Sequence, residues 1–357
     1  MVRAGRVELC SGPVFSGKTS WLLDRLSKFS KDGLRCEIIS YEKDASALQK
    51  VSLSSHKGTT YGSLTCSSLF GLSGKFQHAD VVAIDNSHFF SSVADFADSL
   101  AEQGKIVLIT SLNSAHDFTT FPSFTELLPR VDVFTLISNA KCSCGSPGSF
   151  SRFHHKNNIP SESIYPGAEH YDTSCRKCHP LGGNGRLVLY VGPMFAGKTT
   201  SMINHCRKMK ASGRKTVVIK FAADTRYSSS DTLVTHDGDS IKAVAVSRLS
   251  DAANYISDAE VIGIDEGQFY EDVDLASEWA SSGKIVLVSG LSGTFQRKAF
   301  SGFMDLVGKS DEVYLLHSRC KCGFSAPYSK RLVQSSALQL IGGAESYAPV
   351  CRSCYYS

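Results

Sequence analysis

Apolar residues fall in short, dense runs along this chain. In its second half, LVLYVG, KTVVIKF, AEVIGID, GKIVLVSGL and DEVYLLH are rich in β-branched residues and flanked by glycine or charge. That is the pattern of strands buried on both faces of a sheet. The stretch TSMINHCRKMKAS after the first run reads as a helix, and strands alternating with helical stretches predict a parallel α/β sheet. The polar, serine-rich segment Asp224–Ser240 breaks the pattern and reads as a loop free to move.

The pattern occurs twice. RVELCSGPVFSGKTS returns as RLVLYVGPMFAGKTT, and VVAIDNSHFF as VIGIDEGQFY, so that Gly12 matches Gly192 and Asp85 matches Asp265, 180 positions on in both cases. GKIVLITSL and GKIVLVSGL follow 179 positions apart, Cys142 and Cys320 178 apart, and Cys175 and Cys351 176 apart. The shrinking offset places a few small insertions in the first half, after Asp85. Two domains are therefore expected, 1–180 and 181–357, joined through the glycine-rich HPLGGNGR.

Composition adds boundaries to this picture. A chain of 357 residues holds two or three domains at roughly 150 residues each. With 42% apolar and 20% charged residues it has material for packed cores. A net charge of +4 over this length does not announce a nucleic-acid or membrane surface. The opening MVRAGRVELC lacks an apolar signal region and no run of about 18 apolar residues occurs, so a cytoplasmic address is expected. Twelve cysteines in such a compartment are not disulfide staples.

The chemistry sits at fixed places in the repeat. GPMFAGKT fits the phosphate-loop pattern G-x-x-x-x-G-K-[ST] between a strand and a helix, which makes Gly192, Pro193, Met194, Phe195, Ala196, Gly197, Lys198, Thr199 and Thr200 the expected nucleotide cradle. Lys198 would reach the β- and γ-phosphates and Thr199 would ligate Mg2+. Asp265 ends an apolar strand, the usual position of the second magnesium support, and Gln268 is grouped with it. Glu266, one residue on at the open end of the sheet, is placed to act as a general base. The first half keeps Gly12, Gly17, Lys18, Thr19 and Asp85 as a vestigial nucleotide site, but has Asn86 where the base should be, and an amide cannot accept that proton.

Eight cysteines form two sets, Cys142, Cys144, Cys175, Cys178 and Cys320, Cys322, Cys351, Cys354, each a C-x-C pair followed by C-x-x-C. Four thiolates suit a closed, structural Zn2+ site, one per domain, although the tight C-x-C pair departs from the usual two-residue spacer. Cys10, Cys36, Cys66 and Cys206 are read as packing residues. Between Cys322 and Cys351 only Lys330 and Arg331 are basic before the run ESYAPV, too few for a phosphate-tracking surface, so a nucleic-acid-binding zinc ribbon is disfavoured and a loop closing over a small ligand is expected.

GPMFAGKTT, DTRYSSS, VIGIDEGQF, GLSGTFQRKAF, YSKRL and IGGAESYAPVCRSC together resemble the type II, cytosolic thymidine kinases, over nearly all of the second half from Arg186 to Tyr356. The weaker match of the first half makes the chain similar to the tandem thymidine kinases of trypanosomatids. The resemblance implies a duplicated P-loop NTPase-type α/β domain with a small zinc-ribbon subdomain bearing a "lasso" loop. It also implies transfer of the ATP γ-phosphoryl group to the 5′-hydroxyl of thymidine, and of deoxyuridine. Carried over residue by residue, Glu266 is the base, Lys198 and Arg226 contact the phosphates, and Asp265 and Asp224 support magnesium. Met194, Phe269, Leu291, Thr294, Phe295, Phe300, Tyr328, Ser329 and Tyr347 line the thymidine region, with the backbone near Leu340 and Gly342 against the base edge. Such a pocket stacks a pyrimidine and excludes a purine by size. dTTP is the implied feedback inhibitor, and the implied assembly is either self-association into a pseudo-tetramer of two chains or a monomer. In register, Ser46 stands opposite Arg226, His88 opposite Gln268 and His116 opposite Phe295, whereas Asp44, Phe89 and Tyr171 are kept. The first half is accordingly expected to be a degenerate, inactive domain with a structural or regulatory role.

Overall fold

The computed structural model describes residues 5–42, 62–137, 140–153, 170–223, 232–234, 240–334 and 343–357. By its contacts the chain divides into two units, Met1–Cys175 and Arg176–Ser357. The first unit carries β1 (Arg6–Gly12), β2 (Cys36–Tyr41), β3 (Gly62–Cys66), β4 (Val81–Ile84), β5 (Ile106–Leu112) and β6 (Val133–Leu136), followed by the antiparallel pair β7 (Phe150–Phe153) and β8 (Tyr171–Ser174). The first six form one parallel sheet in the order β3-β2-β4-β5-β1-β6.

The second unit repeats the plan. Strands β9 (Arg186–Gly192), β10 (Thr216–Phe221), β11 (Thr232–Val234), β12 (Ser240–Lys242), β13 (Val244–Val246), β14 (Val261–Ile264), β15 (Ile285–Leu291) and β16 (Glu312–Leu315) follow in sequence. Its parallel sheet runs β13-β10-β14-β15-β9-β16. Beyond it lie two small antiparallel pairs, β17 (Ser318–Arg319) with β18 (Ser325–Ala326) and β19 (Tyr328–Arg331) with β20 (Tyr347–Val350). The duplicated α/β parallel-sheet architecture expected from the apolar runs is what forms.

Hydrophobic burial explains the layers. Every residue of β4 and of β14 is buried, as the unbroken apolar runs require of central parallel strands. The helix Lys18–Lys31 turns Leu22 and Leu26, one turn apart, onto Ile38, Val81 and Leu108. Its counterpart Lys198–Ala211 sets Met202 and Cys206 against Val218, Val261 and Leu287, so Cys206 is a core residue as expected. Truncating Leu26 to alanine would cost about 2–5 kcal/mol by opening a cavity there.

One expectation changes. Part of the serine-rich segment is not loop: Thr232–Val234 pairs antiparallel with Ser240–Lys242, because Leu233 is buried in the same core as Met202 and Lys220 donates to the Thr232 carbonyl at 3.1 Å. Its remainder, including Asp224 and Arg226, lies outside the described residues, as do Asp44, Ser46, Leu340 and Gly342. The glycines of HPLGGNGR serve close approach: a Cβ on Gly183 would sit 1.8 Å from the Ser281 carbonyl oxygen, and one on Gly185 2.2 Å from that of Lys284. The second unit begins ahead of this segment, at Arg176, whose buried guanidinium pairs with Asp311 at 2.7 Å.

Candidate active site

In a parallel sheet all the carboxyl ends share one edge, and in the second unit that edge collects the chemistry. β9 ends at Gly192 and runs through the loop into the helix beginning at Lys198. Phe195 and Gly197 take left-handed conformations, φ 63° and 74°, and no side chain caps this helix, so its first amides remain directed at the loop. Lys198 is buried and donates to the Pro193 carbonyl at 2.7 Å.

β14 delivers Asp265 to the same edge, with β15 between it and β9. This interposed strand supplies a residue that motif reading missed. Ser289 donates to Asp265 Oδ1 at 2.5 Å, and Thr199 donates to the same oxygen at 2.8 Å. A signal was present in the register, because Thr110 stands opposite Ser289 and preserves the hydroxyl. Burial, then the neighbouring Glu266 carboxylate, raises the proton affinity of Asp265. The hydroxyl of Thr199 beside a carboxylate is a hard-oxygen pair of the kind magnesium takes.

Glu266 adopts φ 54° and ψ 47° at the turn into the short helix Gly267–Phe269. Gln268, grouped with the magnesium residues in the sequence, has its amide engaged by protein. Its Oε1 accepts the Leu291 amide at 3.0 Å and its Nε2 donates to Glu266 Oε2 at 2.5 Å.

The expected thymidine-region residues divide by location. Met194 and Ser329 are brought together, the Met194 amide donating to Ser329 Oγ at 2.9 Å, which ties the phosphate loop to β19. Phe269 packs on Phe221, and Phe300 is buried. The guanidinium of Arg331 lies 3.9 Å over the Phe295 ring and donates to the Tyr347 hydroxyl at 2.8 Å. Thr294 caps its own turn by accepting from the Gln296 and Lys298 amides. Tyr328 lies in the small core beside Cys320 and Cys351.

Each cysteine set is gathered: the sulfurs of Cys142, Cys144, Cys175 and Cys178, and those of Cys320, Cys322, Cys351 and Cys354, lie within 4.8 Å of one another. Zinc–sulfur bonds of about 2.3 Å in a tetrahedron put sulfurs about 3.8 Å apart. The Cys144–Cys175 and Cys322–Cys351 separations of 3.6 and 3.5 Å fit that spacing, and the tight C-x-C pair brings both its thiols into each group. Hydrogen bonds from the side chain and backbone of Ser146 bring the Cys144 thiol down to about 6, favouring the thiolate a metal requires.

The first unit keeps the frame and changes the business end. Lys18 donates to the Pro13 carbonyl at 2.6 Å, Thr110 to Asp85 at 2.5 Å, and the Val14 amide to Ser151 at 3.1 Å. Burial brings the Lys18 ammonium down to about 8, against the attraction of Cys10 and Asp85. Asn86 takes the left-handed position of Glu266, with φ 53°. His88 replaces Gln268: its Nδ1 accepts the Leu112 amide at 3.4 Å, and its buried Nε2 makes no hydrogen bond.

A phosphate-loop motif at the edge of a parallel sheet, with a hydroxyl and two carboxylates beside it, is the arrangement of a P-loop nucleotide-binding domain. A family model described as thymidine kinase matches residues 5–179 and again residues 185–355, and the chain belongs to that family, carrying its domain twice. Among its relatives, the thymidine kinase of variola virus (isolate Human/India/Ind3/1967) is 43% identical over 173 residues, 48% of this chain and 97% of the viral one. Thymidine kinase 1 of Dictyostelium discoideum is 41% identical over 178 residues, 48% of this chain and 78% of the relative. The cytosolic thymidine kinase of Cricetulus griseus is 42% identical over 179 residues, 50% and 76% of the two chains. Among the described residues no helix is long and apolar enough to cross a membrane.

Proposed function

We propose that the second unit transfers the γ-phosphoryl group of ATP to the 5′-hydroxyl of thymidine, with deoxyuridine as a further acceptor, and that the first unit is catalytically inactive. The observation that carries this reading is the pair Asp265–Glu266 at the end of β14, set against Asp85–Asn86 at the end of β4. In the reaction Glu266 takes the proton of the 5′-hydroxyl, that oxygen bonds to the γ-phosphorus, and the bond from phosphorus to the bridging oxygen breaks to leave ADP. Lys198 and the loop amides hold the phosphates, and Arg226 and Asp224, outside the described residues, are assigned by family resemblance to the phosphates and the metal. Magnesium, when bound, neutralises charge on the phosphates, and Thr199 and Asp265 are the residues that would hold it.

Phe269, Phe295 and Tyr347 enclose the pyrimidine, and the lasso backbone near Leu340 and Gly342 reads its edge. The two cysteine sets each hold one zinc ion with no open position, in a structural role. The cytoplasmic address, inhibition by dTTP and self-association belong to the same reading. Light scattering on the whole chain decides the last.

Kinetics on the full chain test the core of the proposal. Glu266→Ala should lower kcat by about 10²–10⁴-fold. Adding Asn86→Glu to that variant should leave it inactive, since a base alone does not rebuild the first site. Retention of most turnover by Glu266→Ala moves the base elsewhere, and rescue by Asn86→Glu makes the first unit an enzyme.

A further inference from the structure

We infer that Gln268 is a positioning residue that aims the Glu266 carboxylate, and that it is not itself a ligand of ATP or magnesium. The inference rests on the reading of Glu266 as the base.

The orientation of the Gln268 amide is dictated by its surroundings. The Leu291 amide can only donate, so the group facing it at 3.0 Å is the carbonyl oxygen, and the NH2 group is left to face Glu266 Oε2 at 2.5 Å. Gln268 is 7% exposed, so neither bond is exchanged for water at little cost. The β15 backbone therefore holds one end of a short rigid link whose other end holds the carboxylate. A base on a left-handed residue at the start of a loop needs such a brace, because its own backbone does not fix the χ angles of a glutamate.

The space for this link is purchased by a glycine. A Cβ on Gly290 would lie 2.7 Å from Gln268 Oε1 and 2.4 Å from the Phe303 ring, so glutamine reaches Leu291 only past a residue without a side chain. The other half of the same chain provides the comparison. Where Glu266 becomes Asn86, Gln268 becomes His88 and Gly290 becomes Ser111, while Phe303 persists as the equally buried Phe124. His88 keeps the backbone anchor, accepting the Leu112 amide at 3.4 Å, yet its Nε2 bonds to nothing. The anchor is thus kept in both units, and the donation to the residue after the aspartate is present only where that residue is a carboxylate.

This separates two roles that a truncation would confuse. Gln268→Glu, ionised, retains an acceptor for the Leu291 amide and loses the donor aimed at Glu266, whereas Gln268→His retains the acceptor at Nδ1 and carries its N–H on Nε2, the atom that in His88 reaches no partner. A base displaced by about 1 Å can cost about 10²-fold. Both variants, made in the full chain, should therefore lose on the order of 10–100-fold in kcat with KM for thymidine and for ATP within about threefold of wild type. In a double-mutant cycle, Gln268→His should have almost no further effect on Glu266→Ala, because a residue that acts through the carboxylate has nothing left to aim. Unchanged kcat in both Gln268 variants, with Glu266→Ala inactive, overturns the inference while leaving the base assignment standing. An equal loss from Gln268→His on the wild-type and Glu266→Ala backgrounds also overturns it. High turnover by Glu266→Ala instead refutes the reading beneath it.

Discussion

His88 is buried beside Lys18, far from the aqueous environment of a free imidazole. Burial, reinforced by Lys18, brings its imidazole down to about 3, so it is neutral in the folded chain. An unfolded histidine titrates near 6.5. Between those values the unfolded chain takes up a proton that the folded one refuses, so this contribution to stability is complete above about pH 6.5 and is lost as the pH falls below it. The full chain should accordingly melt lower at pH 5 than at pH 7, and His88→Gln should lose less over that interval. Thermal scans of the two proteins check this, and identical pH dependence would show that His88 is not the source. At this scale the gathering of the cysteines was legible from spacing, and so were the positions of Lys198 and Asp265 at the edge of the sheet. The partners of Gln268 were not legible, because which atom of an amide faces which neighbour is set by a strand twenty residues away in sequence.

At the scale of elements, the hairpin of β19 and β20 is attached to the phosphate loop through the hydrogen bond from the Met194 amide to Ser329 Oγ. The first unit repeats it between Val14 and Ser151, and adds a bond from Thr173 Oγ1 to the Val14 carbonyl at 2.6 Å. The cysteine-pinned hairpin thereby sets the position of the loop that holds Met194, and the stack of Arg331 on Phe295 extends the same support to that ring. A neutral hydrogen bond of this kind contributes about 1 kcal/mol. Ser329→Ala should raise KM for thymidine roughly five- to tenfold with a smaller effect on kcat. Ser151→Ala should leave both constants alone. Steady-state kinetics give the answer, and a Ser329→Ala enzyme with wild-type KM would detach the hairpin from substrate binding. The short strand β11 was not legible, since Thr232–Val234 is too brief to show a period and owes its form to Leu233 entering the core.

For the whole molecule, two cysteine groups predict metal in a fixed ratio. The purified chain should contain two zinc ions, and Cys320→Ala or Cys142→Ala should each reduce that to one. On the proposed function only Cys320→Ala should abolish thymidine phosphorylation, because the glutamate proposed as base stands in the second unit and not in the first. Metal analysis by atomic emission, paired with activity, checks both statements. A ratio of one in the unaltered chain would mean that one set of thiols does not bind.

The repeat, the parallel-sheet class, the phosphate loops and the cysteine sets follow from the sequence alone, because each depends on residues near one another in the chain or on a spacing kept twice. Sequence also exposed the change from Glu266 to Asn86, since internal register needs no coordinates. The tertiary structure decided what depends on strand order. β15 lies between β9 and β14, and for that reason Ser289 meets Asp265 and the Leu291 amide meets Gln268. Hydrophobic periodicity says which face of a strand is buried, but not which strand is its neighbour, and the aim of the Glu266 carboxylate depends on that neighbour.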